Sequence, residues 1–429
     1  MSFKRISVVG LGYIGLPTAA MFASRKIEVI GVDINPQTVA TINQGKIHIF
    51  EPDLDMLVHS VVVEGYLRAT LQAEPAQAFL IAVPTPFKGD YEPDLSYIYS
   101  AAKMIAPVLE KGNLVILEST SPVGATEQLA RWLAELRADL TFPQNTEHEP
   151  DINVAHCPER VLPGHVVREL VENDRLIGGM SPHCSERSVH LYRSFVKGEC
   201  VVTSARTAEM AKLTENASRD VSIAFANELS IICDRLDIDV WEVIRLANRH
   251  PRVNILNPGP GVGGHCIAVD PWFIISSAPQ EARLIHTARV INDAKPDWVV
   301  SKVREEVTNF IWTHPECRAA EINIACLGLA FKADIDDLRE SPALGIVNKL
   351  ADALPCNLRV VEPYINALPH SLDGKTQLVS LAEALNTADI AVILVDHNQF
   401  KEIEPDKFAG KRIIDTRGLL SKQWMQLSK

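Results

Sequence analysis

Three absences narrow the reading of this 429-residue chain. It has no run of about 18 or more uncharged apolar residues, so no membrane-spanning helix is expected. Its eight cysteines, at 157, 184, 200, 233, 266, 317, 326 and 356, form no CxxC pair. That speaks against a metal site and against a disulfide framework, and for a reducing compartment. A basic excess is also missing. The net charge of −12 argues against nucleic acid as a partner. The opening MSFKRISVVGLG has basic residues before an apolar run, as a secretion signal does, but the run breaks at once into glycines of a stronger motif. The expectation is a cytoplasmic protein of two or three domains with no membrane partner.

What is present begins with RISVVGLGYIGLPTAAMFASRKIEVIGVD, residues 5–33. A β-branched run, Ile6 to Val9, reads as a buried strand. Gly10, Gly12 and Gly15 follow as GxGxxG, then a helical pattern to about Arg25 and a second strand from Glu28 to Val32, ending at Asp33. Strand, glycine turn, helix, strand and acid together make a βαβ dinucleotide fingerprint. The glycines let a pyrophosphate approach, and the helix N-terminus offers it unpaired N–H groups. Asp33 would accept from a ribose diol and repel a 2′-phosphate, which favours NAD as cofactor.

Further strands are expected at 78–83, 114–118 and 152–155, ending in VPTP, ESTSPVG and CPERVLPG. Sites in such sheets gather at the carboxyl ends of the strands. Thr85, Thr120 and Thr126 fit cofactor contacts there, and equally fit turn and cap chemistry. Residues 205–236 form one long helical pattern without Gly or Pro. Lys212, Asn216 and Arg219 share one of its faces, either functional or solvated. A stripe of Leu213, Ala217, Phe225, Leu229 and Ile232 suits packing against a neighbour and suggests a spine with a dimer interface. Near residue 320 a second α/β unit begins, without the fingerprint. Lys332 and Arg339 sit at its first strand-to-helix turn, where a phosphate ligand would lie. Arg417, in DTRG, ends another of its strands.

Between these units, GPGVGGHCIAVD (259–270) places four glycines ahead of Cys266 and an acid, Asp270, after it. A cysteine on a loop this bare is either small packing or a nucleophile on display. A thiol beside NAD suits aldehyde oxidation. The thiolate adds to a carbonyl, the thiohemiacetal gives up hydride, and water cleaves the thioester.

Six segments, in order, carry a resemblance: VVGLGYIGLPTA, VPTP, CPERVLPG, AEMAKLTEN, GPGVGGHCIAVDP and GLAFKADIDDLRESP. Along essentially its whole length the chain resembles the UDP-glucose/GDP-mannose dehydrogenase family. Its CPERVLPG and GHCIAVDP forms are similar to the UDP-N-acetylhexosamine branch. The resemblance implies an α/β fold. Two Rossmann-like doubly wound domains would be joined by a long central helix and a helical dimerisation region. The expected bounds are 1–204 for NAD, 205–300 for the spine with the cysteine loop, and 318–429 for the UDP-sugar. It implies a homodimer in which Arg252 reaches across. It also implies a four-electron oxidation at C6 consuming two NAD, with UDP-N-acetylmannosamine as the expected sugar and a surface polysaccharide of the enterobacterial common antigen type as its use. UDP-N-acetylglucosamine and UDP-glucose are alternatives; so are a two-electron dehydrogenase without need of Cys266, and a nucleotide-sugar-binding regulator without activity.

Residue by residue, the resemblance makes Cys266 the nucleophile and Lys212 the group that moves protons and stabilises oxyanions. Asp270 and Glu159 would hold or activate water, and Asn216 would orient sugar or water. Arg160, Val161, Arg219, His250, Arg252, Gly263, Phe331, Lys332 and Arg417 would contact substrate. Tyr13, Ile14, Asp33, Thr85 and Thr126 would contact NAD, with Arg339 near cofactor and diphosphate.

Overall fold

The computed structural model describes residues 3–49, 51–89, 91–146, 149–162, 164–264 and 266–420. The chain divides into two compact units, Met1–Glu215 with Ser276–Pro279, and Asn216–Ile275 with Gln280–Lys429.

The first unit opens with β1 (Arg5–Val9), α1 (Gly15–Ser24), β2 (Glu28–Val32), α2 (Pro36–Asn43), α3 (Leu54–Val63), β3 (Leu67–Thr70) and β4 (Ala78–Ile81). A short hairpin, β5 (Phe87–Lys88) and β6 (Glu92–Pro93), leads to α4 (Ser96–Ile105), β7 (Asn113–Leu117) and α5 (Ala125–Leu136). Then come β8 (Ile152–His156), α6 (Val166–Glu172), β9 (Arg175–Gly179), α7 (Pro182–Tyr192) and β10 (Cys200–Ser204). Eight of these strands form one sheet, ordered β10-β9-β8-β7-β4-β1-β2-β3. The order reverses between β1 and β4, and at such a switch point the crevice for a ligand opens. Along each central strand alternate residues face opposite sides. Ile6 and Val8 join Leu16, Phe22 and Val58 in one core. Val9 joins Ile98, Ala102 and Leu129 of α4 and α5 in the other. That is the period-two pattern of a sheet covered on both faces. β4 ends at Ile81, short of the expected Val83, and Ala82 N–H adds one more bond, to Val9 O at 2.8 Å.

The helix α8 (Ala205–Arg235) is 31 residues long, as its pattern predicts, and crosses from the first unit into the second. It ends where Asp237 turns left-handed at φ 55° and Ile238 N–H reaches back to Cys233 O, a Schellman-type C-terminal stop. The second unit continues with α9 (Val240–Ala247), α10 (Asp270–Ser277) and α11 (Arg283–Thr313). It then builds β11 (Asn323–Leu327), α12 (Pro342–Ala353), β12 (Asn357–Val361), β13 (Gln377–Leu378), α13 (Leu381–Thr387), β14 (Ile390–Ile393), α14 (Asn398–Lys401) and β15 (Arg412–Asp415). Its five strands are parallel, ordered β13-β12-β11-β14-β15. Val299, Val303 and Val307 of α11 and Ile346 and Leu350 of α12 cover one face, and Leu385 and Phe400 help cover the other. The α/β class with two doubly wound sheets is therefore as the sequence leads one to expect.

Candidate active site

In the first unit the glycine turn is built by backbone contacts. Gly10 has φ 91° and donates to Val32 O at 2.8 Å; a Cβ there would lie 2.6 Å from Ala82 O. A Cβ on Gly15 would lie 1.8 Å from Gly10 O, whereas one on Gly12 would meet nothing within 4 Å. Gly10 and Gly15 shape the turn. Gly12 is exposed and leaves open the space where a diphosphate would approach α1, with Tyr13 and Ile14 beside it, so the turn fits NAD. The Asp33 carboxylate accepts from Leu11 N–H at 3.0 Å and from Asn35 N–H at 2.9 Å. It fixes the turn and keeps lone pairs for a diol.

The threonines separate. Thr85 donates to Thr120 O, tying together the loops after β4 and β7. Thr126 takes part in cap chemistry, one of its two expected roles. Its side chain is fully buried and its hydroxyl donates to Glu209 at 2.6 Å. The same carboxylate accepts from Gly124 N–H and Thr126 N–H, closing the N-terminus of α5 in place of a local cap. The physical reason is the unpaired N–H groups of that helix start, which draw a buried acid. Glu209 escaped notice, although it lies in AEMAKLTEN.

Glu159 is also more engaged than expected. It pairs with the buried Arg175 of β9 and accepts from Arg160 N–H at 2.7 Å. Arg175 also binds Glu118 at 2.8 Å, and Tyr192 donates to the same Glu118 oxygen at 2.8 Å. Burial pushes the Glu118 carboxyl up to about 7, against the pull of Arg175. The Arg160 guanidinium pairs with Glu215 at 2.7 Å, and Val161 packs on the core beside it. Lys212 is half-buried on α8. Its charge bears on His156, whose ring is driven down to about 3, chiefly by burial.

In the second unit the cysteine loop is held at its far end. Asn216 donates to Asp270 Oδ2 at 2.6 Å. Val269 and Asp270 N–H groups bond Cys266 O at 3.0 and 2.8 Å, so Cys266 starts the turn that runs into α10. It is exposed, whereas the other seven cysteines are buried or half-buried. Cys326, for comparison, is pushed up to about 12 by burial. The loop glycines make room for other parts of their own unit. A Cβ at Gly259 would meet Arg417 Nη1 at 2.7 Å, at Gly261 Pro342 at 2.8 Å, at Gly263 Glu340 O at 2.4 Å, and at Gly264 the Phe331 ring at 2.9 Å. They let the loop lie against the β11–α12 turn of its own unit. Lys332, Phe331 and Arg417 line a pocket there with Pro260 and Gly261. Arg417 is oriented by Asp396 at 2.6 Å.

Other expected contacts are exposed. Arg339 is exposed and bound two-pronged by Asp337 at 2.8 and 2.6 Å. Arg219 is exposed on α8, and His250 and Arg252 stand on an exposed turn after α9. The second sheet repeats the first sheet's turn without its fingerprint. Gly328 (φ 97°) donates to Val361 O at 2.8 Å, as Gly10 does to Val32. Glu362 accepts from Leu329 and Ala330 N–H, as Asp33 does from Leu11. Here, however, His397 also bonds the acid at 3.1 Å. Glu362 is 4% exposed, so no ribose diol can reach it.

Comparison with known proteins agrees with this layout. Residues 4–196 match the NAD binding domain of the UDP-glucose/GDP-mannose dehydrogenase family, 206–294 its central domain and 325–422 its UDP binding domain. A UDP-N-acetyl-D-mannosamine dehydrogenase of Yersinia pestis is 64% identical over 98% of this chain and 100% of its own. An NDP-N-acetyl-D-galactosaminuronic acid dehydrogenase of Ralstonia solanacearum is 62% identical over 98% of this chain and 97% of its own. The solved structure of a UDP-D-ManNAc dehydrogenase from Pyrococcus horikoshii, 41% identical, superposes with a TM-score of 0.86 over 97% of this chain and 96% of that one. The cofactor of the first unit is NAD and the protein is an oxidoreductase. With all three of its domains present in order, the chain belongs to the UDP-glucose/GDP-mannose dehydrogenase family.

Proposed function

We propose that the protein oxidises UDP-N-acetyl-D-mannosamine at C6 to the uronate, taking four electrons and reducing two NAD. The observation that carries this is the single exposed thiol, Cys266, on a loop whose end is fixed by the Asn216–Asp270 bond. NAD supplies the hydride acceptor for both oxidations. The chain's own residues do the rest. Lys212 takes the hydroxyl proton in the first oxidation and steadies the oxyanion in the second. The Cys266 thiolate adds to the C6 aldehyde, and the thiohemiacetal loses hydride to become a thioester. Water then cleaves the C–S bond, giving the carboxylate and returning the thiol. Asp270 and Glu159 orient that water. Lys332 and Arg417, in one pocket with Phe331 and Gly261, suit a diphosphate.

In this reading residues 1–204 bind NAD, 205–300 carry the spine and the nucleophile, and 318–429 bind the UDP moiety. Of the apolar stripe on α8, Leu213 and Ala217 are buried, while Phe225 and Ile232 are 54% and 47% exposed. That supports pairing with a second copy of the chain. The product would feed a surface polysaccharide.

The Ralstonia relative supports a second sugar, since 62% and 64% identity do not separate diastereomeric sugars that a few contacts can distinguish. The test is NADH yield with limiting UDP-N-acetylmannosamine, UDP-N-acetylgalactosamine, UDP-N-acetylglucosamine or UDP-glucose, for wild type and Cys266→Ser. Two NADH per UDP-N-acetylmannosamine, with full turnover lost in the variant, is expected. One NADH per sugar with an indifferent variant overturns the thioester route. Two NADH from another sugar alone overturns the substrate.

A further inference from the structure

Four polar side chains deep in the second unit take no part in the chemistry above. Asn227 and Asp220, on α8, and Asn292 and Arg289, on α11, are each at most 1% exposed. A buried guanidinium and a buried carboxylate are costly unless paired. Here they are linked in one chain of bonds. Arg289 donates to Asp220 Oδ1 at 2.6 Å and also pairs with Asp293. Asn292 donates to the same Asp220 oxygen at 2.8 Å. Asn227 donates to Asn292 Oδ1 at 2.9 Å. The remaining oxygen of Asn227 accepts from Gly259 N–H at 2.9 Å, and Gly259 opens the cysteine loop.

The direction of this chain is dictated by charge. An ionised Asp220 only accepts, so Asn292 must turn its amide nitrogen toward it. Asn292 then offers oxygen to Asn227, and Asn227 must offer oxygen to Gly259. A two-fold ambiguity at each amide is thereby removed. Positions 216, 220 and 227 are i, i+4 and i+11, which lie on one stripe of a helix over about 16 Å. Asn216 grips the loop at Asp270, and Asn227 grips it at Gly259.

We propose that Asn227, oriented through Asn292 by Asp220 and Arg289, is a positioning residue for the nucleophile loop. With Asn216 it fastens both ends of the segment carrying Cys266 to one helix. The effect on turnover rests on Cys266 being the nucleophile; the effect on the loop does not.

The test compares Asn227→Ala and Asn292→Ala with Ser230→Ala in the full-length protein. Ser230 is buried on the same helix, donates to Asn227 O and accepts from the buried Lys295 of α11, with neither bond reaching the loop, so its loss controls for general loosening of the α8–α11 packing. The readouts are iodoacetamide labelling of Cys266 in the folded protein, NAD affinity, and kcat. Asn227→Ala and Asn292→Ala are expected to change the labelling rate and to lower kcat by up to about 100-fold. NAD affinity and the Ser230→Ala protein stay near wild type. Asn292→Ala keeps the Gly259 bond, so it reports on the chain if Asn227→Ala does not fold. A folded Asn227→Ala protein with wild-type labelling overturns the anchor, as does an equal loss in Ser230→Ala; wild-type labelling in Asn292→Ala overturns the orientation of Asn227 through Asn292. Altered labelling with unchanged kcat upholds the anchor and overturns the role of Cys266.

Discussion

Replacing each fingerprint glycine by alanine separates two uses of one motif. At Gly12 a Cβ meets no atom within 4 Å, and the backbone is not left-handed. Gly12→Ala should leave the cofactor-free protein within about 0.5 kcal/mol of wild type, like other exposed substitutions. The methyl would instead stand where the pyrophosphate approaches. Losing one charge-assisted backbone bond to it, about 1.5–3 kcal/mol, raises the Kd for NAD about 10- to 100-fold. At Gly15 the new Cβ falls 1.8 Å from Gly10 O. The nearest atoms are the Gly10 carbonyl and, behind it, the Ala82 Cβ, so no flexible side chain is there to yield. Overpacking of that kind costs about 3 kcal/mol, which in a unit of this size lowers the melting midpoint by about 6–12 °C. Gly10→Ala adds left-handed strain of about 1–2 kcal/mol to a 2.6 Å contact with Ala82 O. Thermal denaturation without NAD, followed by NAD titration monitored by fluorescence, reads both effects. If Gly12→Ala melts as early as Gly15→Ala, or binds NAD like wild type, the division of labour argued from the contacts is wrong.

Two further predictions concern buried acids. Glu209→Ala leaves Gly124 N–H, Thr126 N–H and the Thr126 hydroxyl without their acceptor, and should cost about 3 kcal/mol in denaturant unfolding; Glu209→Gln, which keeps an acceptor, should cost less, and equal values would refute the capping role. Folded Glu118 keeps its proton to about pH 7 because it is buried, while in the unfolded chain it releases it near 4.5. Its contribution is therefore complete below about pH 4.5 and is lost as pH rises through 7, on the order of 3 kcal/mol. Wild-type stability should fall relative to Glu118→Gln across that window, and parallel pH profiles would refute the shift.

The parts of the fold that could be read from sequence are those set by short-range rules. The β-branched run at 6–9 marked β1, the strand, glycine turn, helix and strand order marked β2, and the unbroken pattern of 205–236 marked α8 almost to its last residue. The site residues that could be read share one property: each is of a type whose chemistry stands out locally, such as Cys266 after its glycines or Asp33 at a strand end. What could not be read is the identity of distant partners. A glycine reports only that a Cβ is unwelcome. Whether a ligand or the protein fills that space depends on Phe331, Pro342 and Arg417, 67 to 158 residues away from the loop glycines they meet. Thr126 offered a hydroxyl in a plausible place, but its acceptor, Glu209, lies 83 residues on. The turn at Gly328 was hidden for the opposite reason. It repeats the backbone bonds of the Gly10 turn with one glycine where the first has three. Glu362, closed off by His397, fills from within the place Asp33 leaves open. A fingerprint therefore records what a turn must admit, not the turn itself. For that reason a single sequence yields the cofactor site more readily than the scaffold beneath the second ligand.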